Sequence, residues 1–223
     1  MYSSEAQKID AGVKRRVGRP NAHEAELKHE AMLEAALEEF SRHGFHGASV
    51  RAIAERAGVS TRTLYNRYPD KVALFDACLE MSAVKHHFPT DPTGTLHEQL
   101  VRYAVHMSGR LNQDRQVRLA RVIFRECTSF PQLEKVSRRQ FERFQLEPVQ
   151  TMLTAHGFSA EQAQELASFY VTMLFRRWQN RVIYNERAMT AAQIKANAES
   201  VTSLFLNGAC AMIHDDSGAK SAC

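Results

Sequence analysis

Cysteine is scarce and scattered in this sequence: the four thiols, Cys78, Cys127, Cys210 and Cys223, form no C-x-x-C pair. That spacing excludes a disulfide framework and a zinc knuckle, and leaves reduced thiols, with Cys78 and Cys127 as core candidates. Long apolar runs are missing too. Stretches such as Ala209–Ile213 and Val122–Phe124 fall far short of the roughly 20 residues that a spanning helix needs, so no membrane partner is expected. Between Ser3 and Arg19 no apolar block precedes a small-residue cleavage site, and the expected address is cytoplasmic. The chain has no G-x-S-x-G elbow, no G-x-x-x-x-G-K-[ST] loop, no G-x-G-x-x-G and no H-E-x-x-H. Nothing promotes an enzyme, and no cofactor is expected. Ten histidines raise a metal reading, above all at His43-x-x-His46 and His86-His87. The first pair lies in a glycine-flanked loop without cysteine or carboxylate partners, so surface or structural histidines are expected and no metal.

What is present is enough apolar material for a core, 44% of 223 residues. The formal net charge is only +4, but its distribution is uneven. From Ser41 to Lys71 six cations (Arg42, Arg51, Arg56, Arg62, Arg67, Lys71) face two carboxylates, Glu55 and Asp70. Ahead of that segment runs an arm with Lys14, Arg15, Arg16 and Arg19. A basic arm beside a basic compact segment suits a polyanion; the plainer reading of the arm alone is a tail kept soluble by its charges.

Residues 1–22 lack hydrophobic periodicity and are expected to be a flexible basic arm. From His23 the pattern is helical almost throughout. Leu33, Ala36, Leu37 and Phe40 form one stripe of a first helix, with Gly44 as its left-handed stop. Ser49 caps a short second helix whose stripe is Val50, Ile53, Ala54 and Ala57, and Gly58 ends it. Ser60 caps a third helix through Arg67. Pro69 and Asp70 open a fourth, from Lys71 to about 85. The run Phe88-Pro89-Thr90-Asp91-Pro92-Thr93-Gly94 reads as the linker. Helices are then expected at about 95–112, 115–127, 131–156, 160–186 and 190–213. The expected class is all-α: a DNA-binding unit at 23–87, a helical effector-binding and dimerisation unit at 88–214, and a disordered tail at 215–223.

The second and third helices meet the demands of a helix-turn-helix. Ala54 is the small residue at the crossing and Gly58 tolerates positive φ in the turn. Val50, Ile53, Val59 and Leu64 pin one helix to the other. An ordinary αα-hairpin is the competing reading. Left over for contact on the third helix are Thr61, Arg62, Thr63, Tyr65, Asn66 and Arg67. Arginine can fork onto the O6 and N7 edge of guanine, asparagine onto adenine, and threonine offers a hydroxyl and a methyl. Tyr65, Tyr68 and Lys71 stand where a hydroxyl or ammonium would meet phosphates. Ser49 and Arg51 open the second helix, in reach of phosphate or, for Arg51, a base edge.

The run Ser49–Lys71 (SVRAIAERAGVSTRTLYNRYPDK), ending in Leu74-Phe75, strongly resembles the DNA-binding domain of TetR-type transcriptional regulators. Ala35-Ala36-Leu37-Glu38-Glu39-Phe40 and Gly44-Phe45-His46-Gly47 are similar to that family's first helix and loop, and Gly18-Arg19-Pro20 to its basic leader. The resemblance covers about residues 18–80. It implies an all-helical homodimer on a palindromic operator, with phosphate contacts from Thr63, Tyr65 and Lys71 and base contacts from Thr61, Arg62, Asn66 and Arg67. The family often carries an aromatic or histidine near Asn66 and Arg67, so only the binding mode transfers, not the operator sequence.

In the second half, Arg121-Val122-Ile123-Phe124-Arg125-Glu126 with Phe130-Pro131-Gln132-Leu133 resembles the AefR-like type within the same group. Two long stripes, Ala163-Leu166-Ala167-Tyr170-Leu174-Trp178 and Ile194-Ala198-Val201-Phe205-Met212, suit a four-helix dimer interface, or close the monomer's own core. Phe124, Phe144, Met152, Phe169, Met173 and Trp178 are the effector-pocket candidates. Arg115, Arg118, Arg121 and Arg125 make a basic stripe, either solvated or reaching an anionic inducer or the DNA-binding half. The expectation is a repressor released by a small molecule. An activator of the same fold, and an all-α binding protein or enzyme with a structural helix-turn-helix, remain as alternatives.

Overall fold

The computed structural model describes residues 22–84, 88 and 92–217, with side chains for 24–84, 88 and 92–208. The basic arm with Lys14, Arg15, Arg16 and Arg19, His86-His87, the centre of the expected linker, the side chains of Cys210 and Met212, and the last residues including Cys223 lie outside that description.

The described residues form helices only. In the first half these are α1 (Ala22–Gly47), α2 (Val50–Arg56), α3 (Thr61–Arg67) and α4 (Lys71–Val84). The second half adds α5 (Leu96–Leu111), α6 (Asp114–Glu126), α7 (Pro131–Phe141), α8 (Glu147–Ala155), α9 (Ala160–Tyr184) and α10 (Ala191–Ser217). Local chemistry sets most ends. Ser49 and Ser60 accept the N–H groups of Ala52 and Thr63, and Asp70 accepts that of Ala73. Reciprocal capping boxes start α5 (Thr95 with Glu98) and α9 (Ser159 with Gln162). Asn185 stops α9 in the left-handed region at φ 59°.

The expected helix at 131–156 is interrupted. Glu142–Leu146 forms a π-helical turn between α7 and α8. Pro148, at the start of α8, has no N–H for an interior helical bond and crowds the preceding turn, which a wider turn accommodates.

Two large cores result. The first gathers α1, α2, α3 and α4 around Phe40, Ile53, Leu64, Phe75 and Cys78, and burial pushes the Cys78 thiol up. It also takes Leu119 and Val122 from α6 and Leu133 and Val136 from α7. The second packs α5, α8, α9 and α10 around Leu100, Tyr103, Leu153, Tyr170 and Phe205. Helices α6 and α7 therefore serve the first core although they follow the expected linker. Fully burying one such aliphatic chain stabilises by about 1.5–3 kcal/mol, so these four residues weld the halves together.

The long stripes of α9 and α10 turn inward. Ala163, Leu166, Ala167, Tyr170, Leu174, Ile194, Ala198 and Phe205 are buried, with Val201 and Trp178 packed against the same cores. This corrects the reading of those residues as a dimer surface: each helix has one broad apolar stripe, and the protomer's own core consumes it. What faces outward is mostly polar or small, interrupted by Phe169 at 53% and Leu204 at 65% exposure, and by Ile183 and Tyr184 at the end of α9.

Candidate nucleic-acid interface

Leu64 anchors α3 and almost nothing else on it does. Leu64 is buried, whereas Thr61, Arg62, Thr63, Tyr65, Asn66 and Arg67 are all exposed. The turn holding α3 follows from Gly58, whose φ is 65°, and from Val59 N–H donating to the Ala54 carbonyl. A Cβ at Gly58 would meet nothing within 4 Å, so glycine is required there by backbone conformation rather than by space. Ala54 is buried at the crossing and Val50 and Val59 pack on the core, as a helix-turn-helix needs.

The exposed face is cationic and mostly uncommitted. Arg62 forms no ion pair among the described residues. Thr63 shares a 2.8 Å hydroxyl contact with Ser60, which fixes its rotamer. At the start of α2, Ser49 spends its oxygen on capping, while Arg51 is exposed and donates from Nε to Glu55 at 2.9 Å. Arg56 approaches the buried Glu39 at 3.9 Å, and Glu39 also accepts the Ser49 N–H.

Two of the expected phosphate ligands are engaged inside the protein. The Tyr68 hydroxyl meets His29 Nε2 at 2.6 Å with the rings stacked. Desolvation raises the Tyr68 pKa and lowers that of His29, and the nearby Arg67 guanidinium lowers His29 further. Lys71 donates to the carbonyls of His46 at 3.0 Å and Ala48 at 3.3 Å, and its ammonium lies over the Phe45 ring. Both residues position the α1–α2 loop and α3, a role that sequence spacing alone does not reveal. The histidine pair considered for metal is likewise engaged elsewhere: His43 faces Glu39 and His46 stacks on Phe130.

A junction ties this unit to the second half. At Gly44 the chain turns with φ 74°, and a Cβ there would collide with Arg125 Nη2 and Glu126 Oε1. Glu126, only 7% exposed, accepts the N–H groups of Phe45 at 3.1 Å and His46 at 2.9 Å. The basic stripe of α6 is committed as well. Arg115 pairs with Glu34 at 2.5 Å and Arg118 with Glu38 at 3.9 Å, both on α1. Arg121 donates to the Val182 and Arg181 carbonyls, and Arg125 pairs with Glu126. On the far side of α4, Arg139 and Gln140 bind Asp76, and Arg143 binds Glu80 at 2.8 Å.

A cavity of about 450 Å³ opens between α4, α5, α6, α7, the π-helical turn and α9. Of the expected pocket residues, Phe124, Phe144 and Trp178 line it. Met152 is instead buried in the second core, Met173 packs on that core, and Phe169 is on the outer surface of α9. Apolar periodicity identifies core-forming residues but does not say which of two neighbouring spaces each one faces. Residues missed include Leu79 and Ala83 of α4, and Arg110. The Arg110 signal was available: it lies seven residues after Tyr103, on the inward stripe of α5.

Among the described residues no helix is long and apolar enough to cross a membrane, and no cluster of three or more metal-ligating side chains occurs.

Comparison with known proteins agrees with this geometry. Residues 32–78 match the family model described as bacterial regulatory proteins, tetR family. The chain is 27% identical over 133 residues to the HTH-type transcriptional regulator AcrR of Shigella flexneri, covering 56% of this chain and 60% of that protein. It is 50% identical over 52 residues to the HTH-type transcriptional regulator RutR of Escherichia coli, covering 23% and 24%. The aligned segments thus span less than two thirds of these curated relatives. A TetR-family regulator structure from Mesorhizobium loti superposes with a TM-score of 0.69 at 22% identity, over 82% of this chain and 97% of that one. One from Pseudomonas syringae gives 0.63 at 25% identity, over 82% and 96%. The chain therefore carries a TetR-family helix-turn-helix domain at its N-terminal end and has the overall fold of the TetR-type regulators.

Proposed function

We propose that this protein is a ligand-responsive transcriptional repressor that binds a palindromic DNA operator as a homodimer and leaves it when a small molecule enters the second half. The observation that carries the reading is α3, tethered by one buried leucine and presenting Arg62 and Asn66, four residues apart, outward on one face. In this reading Thr61, Arg62, Asn66 and Arg67 meet base edges, and Thr63, Tyr65, Ser49 and Arg51 meet the backbone or, for Arg51, a base. Tyr68 and Lys71 act mainly by holding these elements in place. The relatives named as transcriptional regulators support regulation over catalysis.

Dimerisation would use the outer faces of α9 and α10, where Phe169 and Leu204 are exposed, rather than the inward stripes. The cavity supplies the switch. Its wall includes Leu79 and Ala83, on the same helix whose Asp76 and Glu80 are gripped from α7 and the π-helical turn. A ligand that prefers one position of α4 changes the distance between the paired α3 helices. A preference of about 1–3 kcal/mol alters DNA affinity about 5- to 150-fold.

Gel retention with the double variant Arg62→Ala, Asn66→Ala tests the reading. Loss of sequence preference with the fold retained supports it, and unchanged retention of all DNA refutes it.

A further inference from the structure

The cavity under α4 contains a charge that its walls leave unmatched. Arg110 lies in the last turn of α5 and its Nε is buried without an acceptor. Among the described residues its guanidinium makes no ion pair and no side-chain hydrogen bond. Burial lowers its pKa, and the one opposing influence is the Tyr103 phenol rather than a carboxylate. Four other arginines of this half have a carboxylate partner: Arg115 has Glu34, Arg139 has Asp76, Arg143 has Glu80 and Arg181 has Asp114.

Among the described residues, nothing else lining the cavity supplies an anion for it. Glu134 is held by Arg138, whose Nε and Nη2 lie 2.8 and 2.6 Å from one carboxylate oxygen, so that pair is neutral. Two further lining residues carry buried polar atoms without partners, Trp178 Nε1 and Gln140 Oε1. The remaining wall is largely apolar, including Leu111, Leu119, Phe141 and Phe144. A volume of about 450 Å³ lies in the range of small-molecule sites.

We infer that the effector is an amphipathic organic acid, a carboxylate on an aromatic or alkyl body, with the carboxylate on Arg110 and the body against the apolar wall. This rests on the proposed effector role of the cavity. An uncompensated buried cation costs free energy that an incoming anion offsets, so the site favours ligands bearing one negative charge. A guanidinium presents a planar fork matched to a carboxylate. A single cation suits one carboxylate better than a phosphate dianion. The Trp178 N–H offers a further donor at the same cavity.

Trp178 is the chain's one tryptophan, so its fluorescence reports on this site. The test titrates the full chain with biphenylacetate and decanoate and with their neutral amides, in wild type and in Arg110→Met, with circular dichroism as the folding control. Each acid is expected to quench Trp178 saturably and to bind about 10- to 100-fold more tightly than its amide in wild type. In the folded Arg110→Met protein that preference should fall to within about threefold while the amides bind as before. Equal binding of acid and amide in wild type overturns the inference. So does an acid preference that survives in Arg110→Met, or the absence of quenching by every compound. DNA retention measured on the same samples separates the two readings: acid-selective quenching without any change in DNA retention keeps the anion site and refutes the switch, whereas DNA binding that responds to the amides as well as to the acids keeps the switch and refutes the anion site.

Discussion

Replacing Glu126 by glutamine changes one atom and should cost the protein more than most surface substitutions. The carboxylate offers Oε1 to the Phe45 N–H and Oε2 to the His46 N–H, and Oε1 also takes Arg125 Nη2 at 2.8 Å. An amide keeps one acceptor and turns the other into a donor, so one of the two backbone N–H groups must face an N–H₂. The Phe45 bond is buried, and an unsatisfied buried donor costs about 1–3 kcal/mol, to which the lost charge assistance adds. We expect a loss of about 2–3 kcal/mol, which in a chain of this size lowers Tm by about 2–4 °C for each kcal/mol. Urea unfolding followed by Trp178 fluorescence measures it as a lower midpoint at constant slope. A change below about 0.5 kcal/mol would show that the junction does not depend on the carboxylate and would refute the reasoning.

Other perturbations probe neighbouring links. Gly58→Ala should cost about 1–2 kcal/mol from backbone conformation alone, whereas Gly44→Ala should cost more, because its Cβ also meets Arg125 and Glu126; equal losses would contradict this. Leu64→Ala should destabilise by about 2–5 kcal/mol in urea titration and abolish DNA retention, since α3 has no other fully buried residue. The His29 pKa lies below 6.5, so its neutral form is favoured by folding: this contribution is complete above about 6.5 and is lost as pH falls through the lower folded value. Urea midpoints measured at descending pH should show that decline, and His29→Gln should remove it. Lys71→Met should reduce stability by about 1–2 kcal/mol, by freeing the His46 and Ala48 carbonyls, before any effect on DNA is considered; unchanged urea midpoints would return Lys71 to a pure phosphate role.

Features written in a few consecutive residues were legible. Ser49 and Ser60 as caps, Gly44 and Gly58 at positive φ, and the helices of the second half other than the one expected at 131–156, to within a few residues, all follow from local chemistry. The exposed face of α3 was legible too, because one buried leucine among polar neighbours leaves a short helix little choice. What was not legible depends on which surfaces meet. The α9 and α10 stripes read equally well as core or interface, and only packing against α5 and α8 decides between them. Phe124, Phe144 and Trp178 could not be told from Met152, Phe169 and Met173 by spacing. The π-helical turn had a local warning, Pro148, inside an otherwise uninterrupted helical pattern. That α6 completes the core of the preceding unit had none, since its Leu119 and Val122 differ in no local respect from Val117 and Ala120, which face elsewhere.

The central claim, that α3 reads DNA, is tested most directly by selecting bound duplexes from a random pool with the wild-type chain and with the Arg62→Ala, Asn66→Ala variant. The account predicts an inverted repeat whose half-sites are about 34–36 Å apart, or a multiple of that, enriched by the wild type and not by the variant. Enrichment of no common sequence, or of the same sequence by both proteins, would contradict it.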